Sequence, residues 1–329
     1  MKTMAILGCG DFLRWQAESI QRSKQVKVTH LFDPDRSRAQ GYAGIFDAKV
    51  AESAAAVFDD PQVDMVALFV PPWVRRDLFA QAAQTGKHII TTKPLGTNSD
   101  DCQAMMAVTQ SHGIKAAVIY SRTDDAFVQT AKQLLDDGQF GRLALYRQDW
   151  LHAYPQWNSW ATDPDRNGGP FMDAMIHNLN AACYLMDRPV EQATLFSEKL
   201  SHPDLKCPDT QAMMVNFQGG IAHLFITWAA DLATYGTQGN DREHIDLFYM
   251  VTDQGWRLTR ESRDSKACLV ASREGMEQVV PVMPLPQSSY DAFAAHIDGD
   301  AFPSVLANLS DASRDIALVR STPMCATCA

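Results

Sequence analysis

At 329 residues the chain is long enough to bury two separate cores, and 46% apolar with 21% charged residues is the balance of a soluble globular protein. A net charge of −10 argues against unspecific binding to nucleic acid or to an anionic membrane, while leaving room for a local site that takes a small anionic cofactor. No apolar run approaches the ~20 residues of a membrane span. Met1 leads straight into the first apolar strand with no basic-then-apolar leader, so a cytoplasmic location is expected.

Residues 1 to 121 alternate short apolar strands with helix-length segments. The strands are expected at 4–7, 26–32, 65–70, 88–91 and 115–120, with helices between them such as 75–85 and 100–112. This alternation implies a parallel sheet covered on both faces by helices. From residue 122 the pattern changes. A helix over 126–135 ends at Asp136-Asp137-Gly138, and β-rich runs follow at 142–151, 190–199, 211–217, 221–228, 244–252 and 266–271. Turns such as Gln218-Gly219-Gly220 join consecutive runs, which predicts a large, mainly antiparallel open sheet in an α+β domain. Helices return at 290–297 and 309–320, and are expected to pack back toward the first domain. The expected boundaries are therefore 1–121 and 122–329.

The first strand runs into Gly8-Cys9-Gly10-Asp11-Phe12-Leu13. A tight turn at Gly8, a side-chain-free approach at Gly10 and a helix start behind them form a cradle for a pyrophosphate. Leu13 stands where a third glycine usually lets helix and strand pack closely, so the helix is expected further out or the loop altered. Asp33 ends the second strand about twenty residues on, where a carboxylate receives ribose hydroxyls and repels a 2′-phosphate. NAD is the expected cofactor, and Arg36 and Arg38 keep NADP in view.

Two further segments carry chemistry. Thr91-Thr92-Lys93-Pro94-Leu95-Gly96 follows an apolar strand. Gly168-Gly169-Pro170 opens a helix on which Asp173 and His177, four residues apart, share one face. Met172, Ile176, Leu179, Cys183 and Met186 form an apolar stripe beside a polar one of Asp173, His177, Asn180 and Tyr184. One stripe is expected in the core and the other on a cleft. An imidazole with a pKa of about 6.5 suits His177 as proton acceptor. Asp173 would orient it, and Lys93 would stabilise a developing alkoxide.

At the GCG loop, Asp33, the Lys93-Pro94 pair and Gly168-Gly169 with Asp173 and His177, the chain resembles the Gfo/Idh/MocA oxidoreductases. The resemblance implies a Rossmann domain followed by an open-sheet domain, NAD(P), and a sugar, cyclic polyol or related carbonyl compound as substrate. It assigns Lys93, Asp173 and His177 to catalysis. It assigns Val70, Pro71, Pro72, Arg75, Thr92 and Lys93 to the cofactor, beside Gly8 to Leu13, Asp33 and Arg38. Thr92 replaces the usual glutamate before the lysine. Val70-Pro71-Pro72-Trp73-Val74-Arg75 replaces a TPNxxH stretch, with Pro72 for asparagine and Arg75 for histidine. Asn180 stands where an aspartate often follows the histidine.

Between the domains, Trp150 to Trp160 and then Asp163 to Asn167 offer aromatic faces and polar groups that suit a sugar ring. Trp157 and Arg166 are the expected substrate residues, the bland alternative being packing or a subunit contact. His152, His223 and His244 lack metal-ligand spacing, and no catalytic metal is expected. Seven irregularly spaced cysteines suit reduced thiols, and Cys325-Ala326-Thr327-Cys328 is read as a chain end. Leu247 to Val251 supplies apolar groups to both sheet faces, so a homodimer or homotetramer through that sheet is expected. Two alternatives to a dehydrogenase stand: a nucleotide-binding regulator without turnover, and an NAD-dependent glycoside hydrolase or lyase that uses transient oxidation.

Overall fold

Continuous apolar runs bounded by turns build the first half, in a computed structural model that describes residues 1–152, 160–228 and 244–320. The order is β1 (Lys2–Leu7), α1 (Asp11–Gln21), β2 (Val26–Phe32), α2 (Arg36–Phe46), β3 (Lys49–Val50) and α3 (Ala54–Phe58). Then follow β4 (Met65–Leu68), α4 (Pro72–Gln84), β5 (His88–Thr92), α5 (Ser99–Ser111) and β6 (Ala116–Ile119). All their pairings are parallel, in the order β3-β2-β1-β4-β5-β6. Every residue of β4 is buried, as expected of a strand covered on both faces. Helix starts are fixed by side chains: Asn98 accepts from the Asp101 amide at 2.9 Å and so opens α5.

The order reverses between β1 and β4, which makes a topological switch point. Because the strands are parallel, the residues after β1, β2, β4 and β5 all emerge at the same edge of the sheet. The glycine loop, Asp33, Val70-Pro71 and Lys93 are thereby brought to one edge by topology alone.

Among the described residues, those from 121 to 284 and from 315 to 320 form a second compact unit; residues 285–314 belong with 1–120 in the first. In the second unit α6 (Ala126–Asp136) opens on Asp125, whose carboxylate accepts from the Phe127 amide at 2.8 Å. After it come β7 (Leu143–His152), a π-helical turn (Phe171–Met175), α7 (Ile176–Met186), β8 (Val190–Glu198), β9 (Thr210–Phe217) and β10 (Gly220–Thr227). The strands β11 (His244–Thr252), β12 (Arg257–Arg263), β13 (Lys266–Arg273) and β14 (Met276–Pro281) complete the sheet. Its order among the described residues is β14-β13-β12-β11-β7-β10-β9-β8, antiparallel except for β7 with β10. The α/β half and the mainly antiparallel α+β half are those expected. Tyr146 and Gln148 of β7 are buried on one face, where the Tyr146 hydroxyl donates to Asn178 of α7 at 3.3 Å.

The chain returns to the first unit with α8 (Ser289–Ile297) before α9 (Leu309–Arg320). Asp291 of α8 accepts from the amides of Lys24 and Gln25, at 3.0 and 2.8 Å, and from the Ser23 hydroxyl. These bonds satisfy the turn after α1.

Leu13 stands at the start of α1. It is fully buried among Met4, Ile6 and Phe69, and α1 still begins at Asp11. The Leu13 side chain is part of the core, where burying a leucine contributes roughly 2 kcal/mol. No helix among the described residues is long and apolar enough to cross a membrane.

Candidate active site

Gly8 has a φ of +97°, and a Cβ there would lie 2.4 Å from the Phe69 carbonyl oxygen. Backbone conformation and close approach both demand glycine. The Cys9 amide donates to one oxygen of Asp33 at 2.8 Å, and the Asp35 amide donates to the other at 2.9 Å. The carboxylate thus fastens the glycine loop to the start of α2. Each carboxylate oxygen has a second lone pair, so ribose hydroxyls can still be received. The Cys9 thiol is buried, and burial, helped by Asp33, pushes its pKa up to about 12, so it is no nucleophile at neutral pH.

The fit of this loop to a dinucleotide rests on Gly10. A Cβ at Gly10 would meet nothing nearer than Arg38 Nη1 at 3.9 Å, so the protein's own packing leaves space there. Gly10 also caps α1 without a side-chain bond, which leaves the first amides of the helix available to an anion. Phe12 packs edge-on against Phe69, with ring centroids 4.9 Å apart. Asp11 is exposed and lies 3.7 Å from Arg14. Of the sequence-predicted set Gly8 to Leu13, Cys9 and Leu13 therefore offer the cofactor only main chain, because their side chains face the core.

Arg38, beside Gly10 and 3.5 Å from Asp35, is where a 2′-phosphate would find a cation. Asp33→Ala is expected to weaken NAD and to improve NADP relative to it, read by isothermal titration. Tighter NADP than NAD in the unmutated protein would contradict the assigned preference.

Arg75, expected among the cofactor residues, is 1% exposed, and both Nη atoms of its guanidinium donate to main-chain carbonyls. It donates to Val70 at 2.6 Å, Thr92 at 2.7 Å, Leu95 at 3.2 Å, and to Pro94. Burial pushes its pKa down to about 9, which still leaves it charged at neutral pH. Arg75 therefore clamps the loop after β4 to the segment after β5. Pro71 precedes α4 and Pro72 is its buried first residue, a position that needs no amide donor. Val70 lies against the glycine loop, its Cγ1 3.2 Å from where a Gly8 Cβ would sit. Thr92, Pro94 and Leu95 are buried, and between them Lys93 is only partly so, its amide donating to Ile119 at 3.3 Å.

In the second unit Gly169 has a φ of +114°, and a Cβ there would stand 3.1 Å from the Pro208 carbonyl. Gln211 of β9 accepts from the Phe171 amide at 2.9 Å and so caps the helix start from outside. Residues 171–175 form a π turn, a feature that often marks functional sites, before α7 proper begins at Ile176. Asp173 and His177 are both half-buried. The side-chain amide of Asn167 lies 3.4 Å from Asp173 Oδ1, and the Ser121 amide donates to His177 Nδ1 at 3.0 Å. Nδ1 thus receives a main-chain amide.

The rest of the polar stripe is structural. Asn180 is buried and donates to Asp315 at 2.7 Å, and the Tyr184 hydroxyl donates to Gln129 at 3.0 Å. Sequence reasoning missed Ser121 and Asn178. Asn178, which receives the Arg122 guanidinium at 3.0 Å, was detectable as a polar residue set among apolar ones. Arg166 lies 3.4 Å from Asp163 and is half exposed, while Trp157 falls outside the described residues. Trp150, at the head of the aromatic segment, lies under the Arg122 guanidinium at 5.6 Å.

Comparison with known proteins follows this division. Residues 2–120 match the model for an oxidoreductase family with an NAD-binding Rossmann fold, and residues 128–243 match that for a GFO/IDH/MocA C-terminal domain. The chain is 27% identical over 203 residues to an NAD(+)-dependent scyllo-inositol 2-dehydrogenase of Bacillus subtilis, covering 60% of this chain and 58% of that one. It is 25% identical over 225 residues to a 2,7-anhydro-N-acetylneuraminate hydratase of Mediterraneibacter gnavus, covering 66% and 59%. The matched region spans about three fifths of the length of such curated relatives. Among solved structures, an oxidoreductase from Agrobacterium radiobacter in complex with NAD+, L-tartaric acid and magnesium has the same fold. Its TM-score is 0.79 at 19% identity, over 98% of this chain and 95% of that one.

Proposed function

The chain belongs to the Gfo/Idh/MocA oxidoreductase family, and on that footing we propose that it transfers a hydride between NAD(H) and a carbinol or carbonyl carbon of a sugar, cyclic polyol or related small molecule. The observation that carries this is the edge of the parallel sheet. There the uncapped start of α1, the fastened Asp33 and the partly exposed Lys93 emerge together. NAD supplies the hydride acceptor when bound. Gly8 to Leu13 hold its pyrophosphate through main-chain amides, and Asp33 receives the adenosine ribose. Val70, Pro71, Pro72 and Thr92 shape the nicotinamide side, with Arg75 as their support. Lys93, Asp173 and His177 handle the reacting oxygen, and Trp157 and Arg166 belong to the substrate segment. The test is a panel of cyclic polyols and aldoses with NAD, read by absorbance of the reduced nicotinamide. No reduction with any member, and no oxidation of NADH by the matching ketones, would count against the proposal.

A second reading draws on the hydratase among the relatives. Transient oxidation beside a leaving group allows elimination or hydration with no net change of the cofactor. Product formed from a glycoside or anhydrosugar without net NADH would favour it. A regulator without turnover is the third reading, and it predicts ligand binding that no substitution at Lys93 or His177 converts into lost catalysis.

The partner proposed for the second unit is another copy of this chain. Phe196, Met214 and Ile221 are each at least 40% exposed on the open sheet. His223 of β10 pairs with Met214 across one neighbouring strand and with Arg147 of β7 across the other. Asp149, which has no exposed side-chain surface, lies 2.8 Å from Arg147 and 3.4 Å from His223. Burial opposes its ionisation, but the bonds to His223 and Arg147 outweigh this and hold its carboxyl below the usual carboxylate range. A face of this kind, apolar around an internally neutralised charge, suits a two-fold contact. Light scattering at micromolar concentration should give at least a dimer, and Met214→Asp should shift it toward monomer. A monomeric wild type would contradict the assembly.

A further inference from the structure

We propose that the buried Arg75 guanidinium sets the redox poise of the bound cofactor: its fixed positive charge disfavours the cationic nicotinamide of NAD+, so the protein holds NADH the more tightly. The inference rests on the oxidoreductase reading above and adds a charge effect to it. Strand order decides which half of the dinucleotide lies nearer Arg75. In an open parallel sheet the ligand lies across the strand ends where the order reverses, here between β1 and β4. The glycine loop after β1 takes the pyrophosphate and Asp33 after β2 takes the adenosine ribose. The nicotinamide half therefore falls to the other side, over the ends of β4 and β5. Arg75 joins those two ends, donating to Val70 beyond β4 at 2.6 Å and to Thr92, the last residue of β5, at 2.7 Å.

The charge at that place is not neutralised by a carboxylate. Arg75 is 1% exposed, and no acidic side chain among the described residues forms an ion pair with it; Asp101 of α5 pairs with Arg76 at 3.2 Å. The titratable groups beside Arg75 are the Cys102 thiol and the Tyr120 phenol, both on fully buried residues. Burial pushes the Cys102 pKa up to about 12, so the thiol is neutral at neutral pH. The guanidinium is met instead by the carbonyls of Val70, Thr92, Pro94 and Leu95. These dipoles hold the cation without cancelling a unit charge, and an oxygen engaged by a guanidinium offers less to a positive ring. Because little water reaches the site, the charge is weakly screened.

The consequence is chemical. The nicotinamide of NAD+ carries a unit positive charge and that of NADH carries none. When a carbinol is oxidised, its C–H bond breaks and the hydrogen leaves with both electrons for the ring. Its O–H bond breaks as the proton leaves to a base, and a carbonyl forms. The ring's charge is lost in that step, so a fixed cation nearby favours it and favours keeping the product cofactor bound. Two unit charges about 10 Å apart at an effective dielectric of about 20 repel strongly enough to change affinity by roughly tenfold or more. A cofactor retained in its reduced form suits a cycle in which the hydride is returned to carbon before the nucleotide leaves.

The experiment is a set of titrations without substrate. NAD+, NADH and ADP-ribose, which lacks the nicotinamide, are each titrated calorimetrically into the wild type, Arg75→Met and Arg75→Lys, with circular dichroism confirming that the variants are folded. The wild type is expected to bind NADH at least about tenfold more tightly than NAD+. Arg75→Met should shrink that ratio by about tenfold, by improving NAD+ relative to ADP-ribose, while Arg75→Lys keeps the charge and should keep the ratio. A purely structural clamp would weaken all three ligands alike and leave the ratio as it was in Arg75→Met, and that result overturns the proposal. A wild type that binds NAD+ and NADH equally also overturns it, a readout that needs no variant to fold. Lys93 is unchanged throughout, so the differences report Arg75. Failure of the hydride-transfer reading would show instead as no turnover in the substrate panel, which these titrations do not use.

Discussion

Lys93→Met is expected to lower kcat by about 10²-fold or more, because it removes the charged group that meets the reacting oxygen in the transition state. Methionine keeps much of the chain length, and the backbone here is held independently of the side chain. The Lys93 amide donates to Ile119, and Arg75 grips the carbonyls on either side. The loss should therefore appear in turnover and not in folding. NAD affinity should change more for Lys93→Met than for His177→Ala, since Lys93 belongs to the nucleotide-binding unit and His177 to the other. If the two residues act on one oxygen, the double substitution should cost less than the product of the single losses. A regulator predicts something else: both variants shift ligand affinity, and neither changes any turnover.

Arg75→Met is expected to cost about 3 kcal/mol of stability, with the denaturant slope unchanged. The side chains are of similar length, so the main change is electrostatic. Carbonyls of Val70, Thr92, Pro94 and Leu95 lose the donor that joins them, in a place reached by little water. A buried guanidinium is itself costly to desolvate, which is why its pKa is pushed down and why the net loss is smaller than four hydrogen bonds would suggest. Histidine ends the TPNxxH stretch that this segment replaces, so Arg75→His is the conservative comparison and should recover part of the loss. Urea unfolding monitored by circular dichroism reads both. An unchanged midpoint for Arg75→Met would show that the clamp contributes nothing.

Elements whose residues are uniformly apolar or sharply bounded were legible in the sequence. The strand at 65–68 and the turn at Asp33 declare themselves through local chemistry, and parallel pairing then follows from strand-helix alternation. Elements set by their neighbours were not legible. The strand Arg257–Arg263 is mostly charged and exposed, and it forms because β11 and β13 flank it and pair with it. The strand Met276–Pro281 lies at the sheet edge with most side chains outward, so it shows little apolar alternation. The π turn is also silent in composition, because a widened turn changes which residues align without changing which residues are present.

The same distinction holds in the candidate site. Residue types at Gly8, Asp33, Lys93, Asp173 and His177 point to their chemistry from spacing and resemblance. Their partners do not. Asn180 reads as one member of a polar stripe, yet its partner Asp315 is 135 residues away. Arg75 reads as a substituted cofactor residue, and only its carbonyl partners reveal a clamp. The Nδ1 of His177 is met by a main-chain amide, which no side-chain pattern can announce.

The central claim is that a hydride moves between a carbinol carbon and NAD, and isotope transfer tests it most directly. Cyclic polyols and aldoses deuterated at the carbinol carbons are incubated with NAD and the wild-type protein, and the cofactor is isolated for mass analysis. The account predicts reduced nicotinamide that carries deuterium from the substrate, formed by the wild type and nearly absent with Lys93→Met. Substrate consumed with every deuterium kept on carbon and none passing through the cofactor would contradict it.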